Sequence, residues 1–441
     1  MLSFYLKNIL TILRNCSFHL KEYKNFRILH KTGIVLFNYG AFGGAPKRFT
    51  NLFIYLNKHY PGDFYYFTNF FMLNQIREIY PDIDTSNIIT VDKNSENKYL
   101  TESAPGAPRS YRKVILDPLG SDKKASFARK IYWYYKNMLR QYKYYRTIEN
   151  YRVKFDIKVF CGVFSGILPL VFYLNKNQRK ASVIFSNMDS WFCDVHRDMK
   201  KLWYRKYYSY NFAMENCDVA DFLSPYILNG IKEIGVRLKD ESVFVSPCSF
   251  IDYSKCKYSE KKKPEVVFCS RLEPDKNPLL YLEVAKEILK SHSAIKFHLL
   301  GEGSLVNEIK QYIEVNNLGE NINFSFHKNP PELFGKTLIF VSLQTSTNYP
   351  SQSLLEAMAC GNAVVASDTG DTHLLVNENN GILVPLNVKK ISGAIESLLN
   401  EKELALKLGR QGSNDVRTRH NIENYSNYFL GLIQKAYTKN F

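Results

Sequence analysis

The amino-acid sequence predicts an α/β protein built as two doubly wound parallel-sheet domains of about 200 residues each. Three observations predict it. Short apolar, strand-like runs alternate with helix-like stretches along nearly the whole chain, the pattern of parallel βαβ layers. The alternation restarts after Glu260-Lys-Lys-Lys-Pro264, a charge run closed by a proline. In the second series, the glycine-bearing and polar segments follow the strands, where ligands of such sheets bind.

In the first series, Gly33-Ile-Val-Leu-Phe37 is a short apolar run that ends at Asn38 and Gly40. A helix is expected from Pro46, because proline suits a first helical turn. Further strands are expected over 87–91, 154–160, 182–185, 219–223 and 243–245. The second series reads as strands over 266–269, 295–300, 322–326, 338–343, 363–366 and 381–385. Helices are expected over 279–291, 305–316 and from 353, and they fill most of the chain after Val388. The expected domains are 1–245 and 246–418, with 419–441 a C-terminal helix packing back on the first domain.

Hydrophobic residues make up 45% and charged residues 23% of the chain, which excludes disordered and collagenous classes. The net charge of +17, with 31 Tyr and 30 Phe, fits a nucleic acid, a membrane surface or a polyphosphorylated small ligand. The eight cysteines are scattered without a CxxC pair, as expected of free thiols in a reducing compartment. No run approaches ~18 consecutive apolar residues, the length a membrane span needs. Lys7 and Arg14 interrupt the N-terminal apolar region, so it does not read as a signal peptide. Leu6, Ile9, Leu10 and Leu13 recur at helical spacing, either as a helix packed on the first domain or as an interfacial anchor on an anionic membrane. The basic, tyrosine-rich segment 110–152 reads as a solvated helical face with tyrosines packed inward, or as a patch for anionic lipid or a phosphorylated acceptor. No zinc-finger or ribonucleoprotein pattern accompanies it, so nucleic acid is not an expected partner.

Four segments of the second half carry chemistry. Arg271-Leu-Glu-Pro-Asp-Lys276 sets two cations directly after a strand, where they suit a diphosphate. Gly301-Glu-Gly303-Ser304 stands between a strand and a helix; glycines there let backbone approach a phosphate or sugar, or simply make a tight turn. The run from Asn348 through Ser351, Gln352, Ser353, Leu355 and Glu356 to Gly361 leads a polar loop into a helix start, whose amides hold anions. Asp368-Thr-Gly370-Asp371-Thr372 is a turn after the next strand. In the first half, Gly40-Ala-Phe-Gly43-Gly44-Ala-Pro-Lys-Arg48 follows the first strand. Ser186-Asn-Met-Asp189-Ser-Trp191-Phe-Cys-Asp194-Val-His196 is a polar and aromatic loop.

These segments resemble glycosyltransferase family 4 of the GT-B fold, continuously from about Val243 to the C-terminus and more loosely before it. The resemblance implies two facing Rossmann-like domains with an interdomain cleft. It implies a retaining enzyme that moves a hexose-type sugar from a nucleotide-diphosphate sugar to a glycan or lipid-linked acceptor in surface polysaccharide synthesis. Arg271 and Lys276 would stabilise the leaving diphosphate, so neither metal nor cofactor is expected. Glu356 would hold the ribose hydroxyls, and amides near Ser351–Leu355 would touch the phosphates or sugar. A glycine-rich loop at Gly43 and Gly44 would face the donor diphosphate, and His196 would be the active-site histidine on the acceptor side, with Asp189 and Asp194 beside it. The family usually carries two glutamates seven residues apart, and here the first is Asn348, an uncharged residue able to bond a sugar hydroxyl. The expected location is cytoplasmic, peripheral on the inner face of an anionic membrane. A nucleotide-sugar epimerase of similar fold and a basic membrane- or nucleic-acid-binding module are the alternatives.

Overall fold

The computed structural model describes residues 30–38, 40, 42–92, 127–174, 180–188, 208–327 and 329–440. His196, its neighbours Asp189, Trp191 and Asp194, and the N-terminal helical pattern lie outside the described residues. The chain divides into two compact units, Met1–Pro247 with Glu423–Phe441, and Cys248–Ile422.

The first unit contains β1 (Thr32–Leu36), α1 (Gly44–His59), β2 (Phe64–Thr68), α2 (Phe70–Ile79), β3 (Ile88–Thr90), α3 (Phe127–Phe155), β4 (Val159–Val163), β5 (Ser182–Asn187), α4 (Tyr208–Asn216), β6 (Val219–Phe222), α5 (Pro225–Glu233) and β7 (Val243–Val245). The strands form one parallel sheet in the order β3-β2-β1-β4-β5-β6-β7. Every residue of β1, β2, β4, β5 and β6 is buried, as a sheet covered on both faces requires. Two differences from the sequence reading have local causes. β2, Phe-Tyr-Tyr-Phe-Thr, carries tyrosines that look half-polar in sequence, yet Tyr65 and Tyr66 are both buried. The strand expected from residue 154 starts at Val159, because α3 runs on to Phe155. The left-handed residue Asp156 (φ 56°) then ends the helix, and the Ile157 amide donates back to the Arg152 carbonyl at 3.0 Å.

The second unit contains β8 (Lys263–Cys269), α6 (Pro278–Ile288), β9 (Phe297–Leu300), α7 (Val306–Val315), β10 (Ile322–Ser325), α8 (Pro330–Phe334), β11 (Thr337–Ser342), α9 (Gln352–Ala359), β12 (Ala363–Ser367), β13 (Gly381–Val384), α10 (Val388–Asn400) and α11 (Lys402–Arg419). Its parallel sheet has the order β10-β9-β8-β11-β12-β13. Period-two alternation sends Val266, Phe268, Ile339, Val341 and Val365 to one face, packed with Leu282, Ile288, Ile391 and Ile395 from α6 and α10. Val267, Phe340, Val364 and Ala366 go to the other face, with Leu354, Leu355 and Met358 of α9. Burying each such side chain stabilises the unit by about 1.5–3 kcal/mol, so these runs had to become central strands.

The chain ends in α12 (Ile422–Thr438), whose residues from Glu423 onward belong to the first unit. The Tyr428 hydroxyl donates to Asp221 Oδ1 at 2.6 Å, and Lys439 Nζ donates to Ser242 Oγ at 2.6 Å. Asp221 is fully buried in β6, and Ser186 Oγ donates to its other oxygen. Burial pushes this carboxyl up to about 6, against the two hydroxyl donors and the Arg48 charge. A folded-state value above the unfolded one contributes stability that is complete below about pH 4 and lost as pH rises through about 6. Asp221→Asn removes that titration. Its stability relative to the wild type is therefore expected to rise by roughly 3 kcal/mol between pH 4 and 7. Denaturation midpoints of both proteins across that range test it, and parallel curves would refute it.

Candidate active site

In the second sheet the chain runs from β8 outward through β9 and β10, then returns and runs the other way through β11, β12 and β13. The order reverses between β8 and β11, so the loops after these two strands part and leave a crevice at their carboxyl ends. The β8 loop carries Arg271 and Lys276, and the β11 loop leads through Asn348 into α9. The sequence thus sets its cationic segment and its polar helix start on the two sides of one switch point.

Arg271 is exposed, and among the described residues no side chain pairs with its guanidinium. Lys276 is mostly buried. Its Nζ donates to Gln344 Oε1 at 2.5 Å and lies 3.2 Å from Asp275 Oδ2. Two more bonds tie the same loops: Asn277 Nδ2 to the Leu343 carbonyl at 2.8 Å, and the Thr345 amide to the Asp275 carbonyl at 3.1 Å. Lys276 is therefore held in place across the crevice, while Arg271 remains open to an incoming anion.

Gly301 and Gly303 have a packing role. A Cβ on Gly301, at φ 147°, would lie 1.9 Å from the Ser270 carbonyl oxygen, and one on Gly303 2.3 Å from that of Leu272. Backbone bonds fill the same contact: Ser270 N to Leu300 O at 3.1 Å, Leu272 N to Glu302 O at 2.8 Å and Leu305 N to Leu272 O at 3.1 Å. The space left by the missing side chains is occupied by the Arg271 loop, which these glycines hold in position.

The expectation that the Asn348 side chain bonds a sugar is corrected. Asn348 is fully buried. Its Oδ1 accepts from Ser342 Oγ at 2.5 Å, and its Nδ2 donates to Ser367 Oγ at 2.8 Å and Thr372 Oγ1 at 3.2 Å. A neutral amide suits this place, since it can both accept and donate, whereas an ionised carboxylate only accepts. Ser367 Oγ and Thr369 Oγ1 donate to the Gln344 carbonyl at 2.7 and 3.0 Å, bracing the loop from the β12 side.

Leu355 is likewise corrected. Its side chain is fully buried and its amide donates to the Ser351 carbonyl at 3.1 Å, inside the helical ladder. Ser351 is the N-cap residue of α9, and its own side chain makes no capping bond. The first-turn amides of an α-helix find no carbonyl a turn back, so those of Ser353 and Leu354 lie at its positive end. The Ser351 and Ser353 hydroxyls are 3.2 Å apart at the same end, beside Gln352 in the first turn. Glu356 is half-buried one turn further on.

In the first unit, Gly43 is the N-cap residue of α1 and Gly44 its first residue. The chain just before is fixed by Asn38 Nδ2 and Gln75 Nε2, both donating to the Gly40 carbonyl at 2.9 Å. Sequence reasoning missed Gln344, Asn277 and the hydroxyls of Ser342 and Ser367, and it singled out Thr372 only as part of a turn. The polar run 344–348, closely following an apolar strand, was the signal that could have found the first of these.

Two parallel α/β units, one with cations and a helix start at its switch point, define a protein of the GT-B architecture. The family model of the glycosyl transferases group 1 matches residues 252–415, within the second unit. A poly(ribitol-phosphate) alpha-N-acetylglucosaminyltransferase of Staphylococcus aureus is 27% identical over 276 residues, 60% of this chain and 53% of that protein. The GtfA subunit of a UDP-N-acetylglucosamine–peptide N-acetylglucosaminyltransferase of Streptococcus agalactiae is 25% identical over 284 residues, 60% of this chain and 54% of that one. The chain spans about half the length of these curated relatives. The sucrose-phosphate synthase of Thermosynechococcus elongatus shares the fold, with a TM-score of 0.66 and 16% identity over 93% of this chain and 100% of that one.

Proposed function

We propose that the protein is a retaining glycosyltransferase. It moves a hexose-type sugar from a nucleotide-diphosphate sugar to a glycan or lipid-linked acceptor in surface polysaccharide synthesis, with no divalent metal. The observation that carries this reading is the open Arg271 guanidinium beside the fixed Lys276 ammonium at the switch point. Breaking the anomeric bond leaves negative charge on the diphosphate and positive charge on the sugar. Arg271, Lys276 and the α9 amides stabilise the first in the role a metal ion has elsewhere. Glu356, one turn into α9, accepts from the ribose hydroxyls. The two curated relatives transfer N-acetylglucosamine, which makes a UDP-linked N-acetylhexosamine the first donor to test.

The enzyme works in the cytoplasm. Cys161, Cys217, Cys248, Cys256, Cys269 and Cys360 are free thiols, in keeping with a reducing compartment. No helix among the described residues is long and apolar enough to cross a membrane.

Thermal stabilisation by nucleoside diphosphates and nucleotide sugars, without metal, tests the donor site. A ligand at ~100 times its dissociation constant adds about 2.7 kcal/mol. UDP is expected to give a clear shift that Arg271→Ala abolishes. No shift with any nucleotide would overturn the proposal. Conversion of the donor sugar without an acceptor would make the protein an epimerase.

A further inference from the structure

Helix α3 turns an apolar stripe to solvent. Its inner face is set by Gln141, Tyr144 and Ile148, all buried, with the Tyr144 ring 5.3 Å from that of Phe37. On the other side Tyr132, Tyr135, Met138, Leu139 and Tyr142 are between 38% and 61% exposed. Their spacing of three, three, one and three residues keeps them on one face of a helix. Single exposed apolar residues are ordinary on a protein surface, but a contiguous patch marks an interaction site.

The charge beside the stripe identifies the partner. Lys136, Lys143 and Arg146 are exposed and recur at spacings of seven and three, along one edge of the stripe. From Phe127 to Ile148 the helix has six Lys or Arg and no Asp or Glu. A protein partner would meet this edge with paired acids. A bilayer with anionic headgroups meets both features at once, since tyrosines and aliphatic groups sit at the headgroup boundary while Lys and Arg reach the phosphates.

We infer that the exposed face of α3 is a docking surface for an anionic lipid bilayer, with the helix lying in the plane of the membrane. The inference stands on α3 alone and does not depend on the transferase reading.

Flotation of the full chain with phosphatidylcholine vesicles and with mixed phosphatidylcholine–phosphatidylglycerol vesicles tests it. The wild type is expected to float with the mixed vesicles alone, less so as salt rises. Tyr135→Ser with Leu139→Ser should lower the partition about tenfold or more. Lys136→Ser with Lys143→Ser should lower it about 25-fold, at about five-fold per cation. These side chains are exposed, so both variants should melt like the wild type. The inference is overturned if the wild type ignores mixed vesicles, or if either pair floats undiminished. Binding lost only on deleting the residues before Gly33 would place the anchor there instead. Loss in the lysine pair alone, with single-stranded oligonucleotide competing, would make the face a polyanion site.

Discussion

Arg271→Ala is expected to lower kcat by about 10²- to 10³-fold while the protein stays folded, the usual cost of removing one donor from a group that gains charge in the transition state. The reason lies in the contrast between the two cations. Lys276 is mostly buried and bonded to Gln344, so its removal also loosens the contact between the β8 and β11 loops. Arg271 is exposed and has no ion-pair partner among the described residues. Its loss should therefore change stability by no more than about 0.5 kcal/mol. Arg271→Lys should recover part of the rate, because an ammonium keeps the charge without the planar two-point fork. Initial rates at saturating donor, read beside thermal melts, make the measurement. Full activity in Arg271→Ala would remove the guanidinium from the mechanism.

Gly301→Ala is expected to destabilise the second unit by about 3 kcal/mol or more, among the largest effects of any single methyl group in the chain. Two costs combine: a φ of 147° that L side chains rarely adopt, and a Cβ placed 1.9 Å from the Ser270 carbonyl oxygen. Neither can relax cheaply, because Ser270 and Leu272 are bonded to the same loop through Leu300 and Glu302. Gly319→Ala is the matched control. Its Cβ would meet nothing within 4 Å, and the change should be neutral within about 0.5 kcal/mol. Denaturation midpoints of the two variants decide the matter. Equal midpoints would mean that the β9 loop does not need glycine.

Much of the fold was legible in the sequence because its cause is local. The strand expected over 266–269 lies within β8, and that over 363–366 lies within β12. Buried parallel strands must be continuous apolar runs, and such runs can be seen without knowing their neighbours. Where a local device intervened, the boundary moved. Asp156 ended α3 and delayed β4, and α1 began at Gly44 rather than Pro46. The aromatic strand β2 was invisible for a related reason, since burial of its tyrosines depends on the layers around it.

The site divides in the same way. The sequence by itself determined that two cations, two glycines and a polar helix start would stand at the carboxyl ends of strands, because strand, turn and helix signals are each contained in a few neighbouring residues. Only the tertiary structure decided which of these groups face outward. Asn348 and Glu356 look alike in sequence, as polar residues around a helix start. Yet Asn348 meets Ser342, Ser367 and Thr372, which are 6, 19 and 24 residues away, and is fully bonded inside the protein. Gly301 and Gly303 look like a ligand-approach loop until Ser270 and Leu272 are seen to occupy the space beside them. Partners so distant leave no period in the chain. The direction of a polar group is set by what folding packs against it.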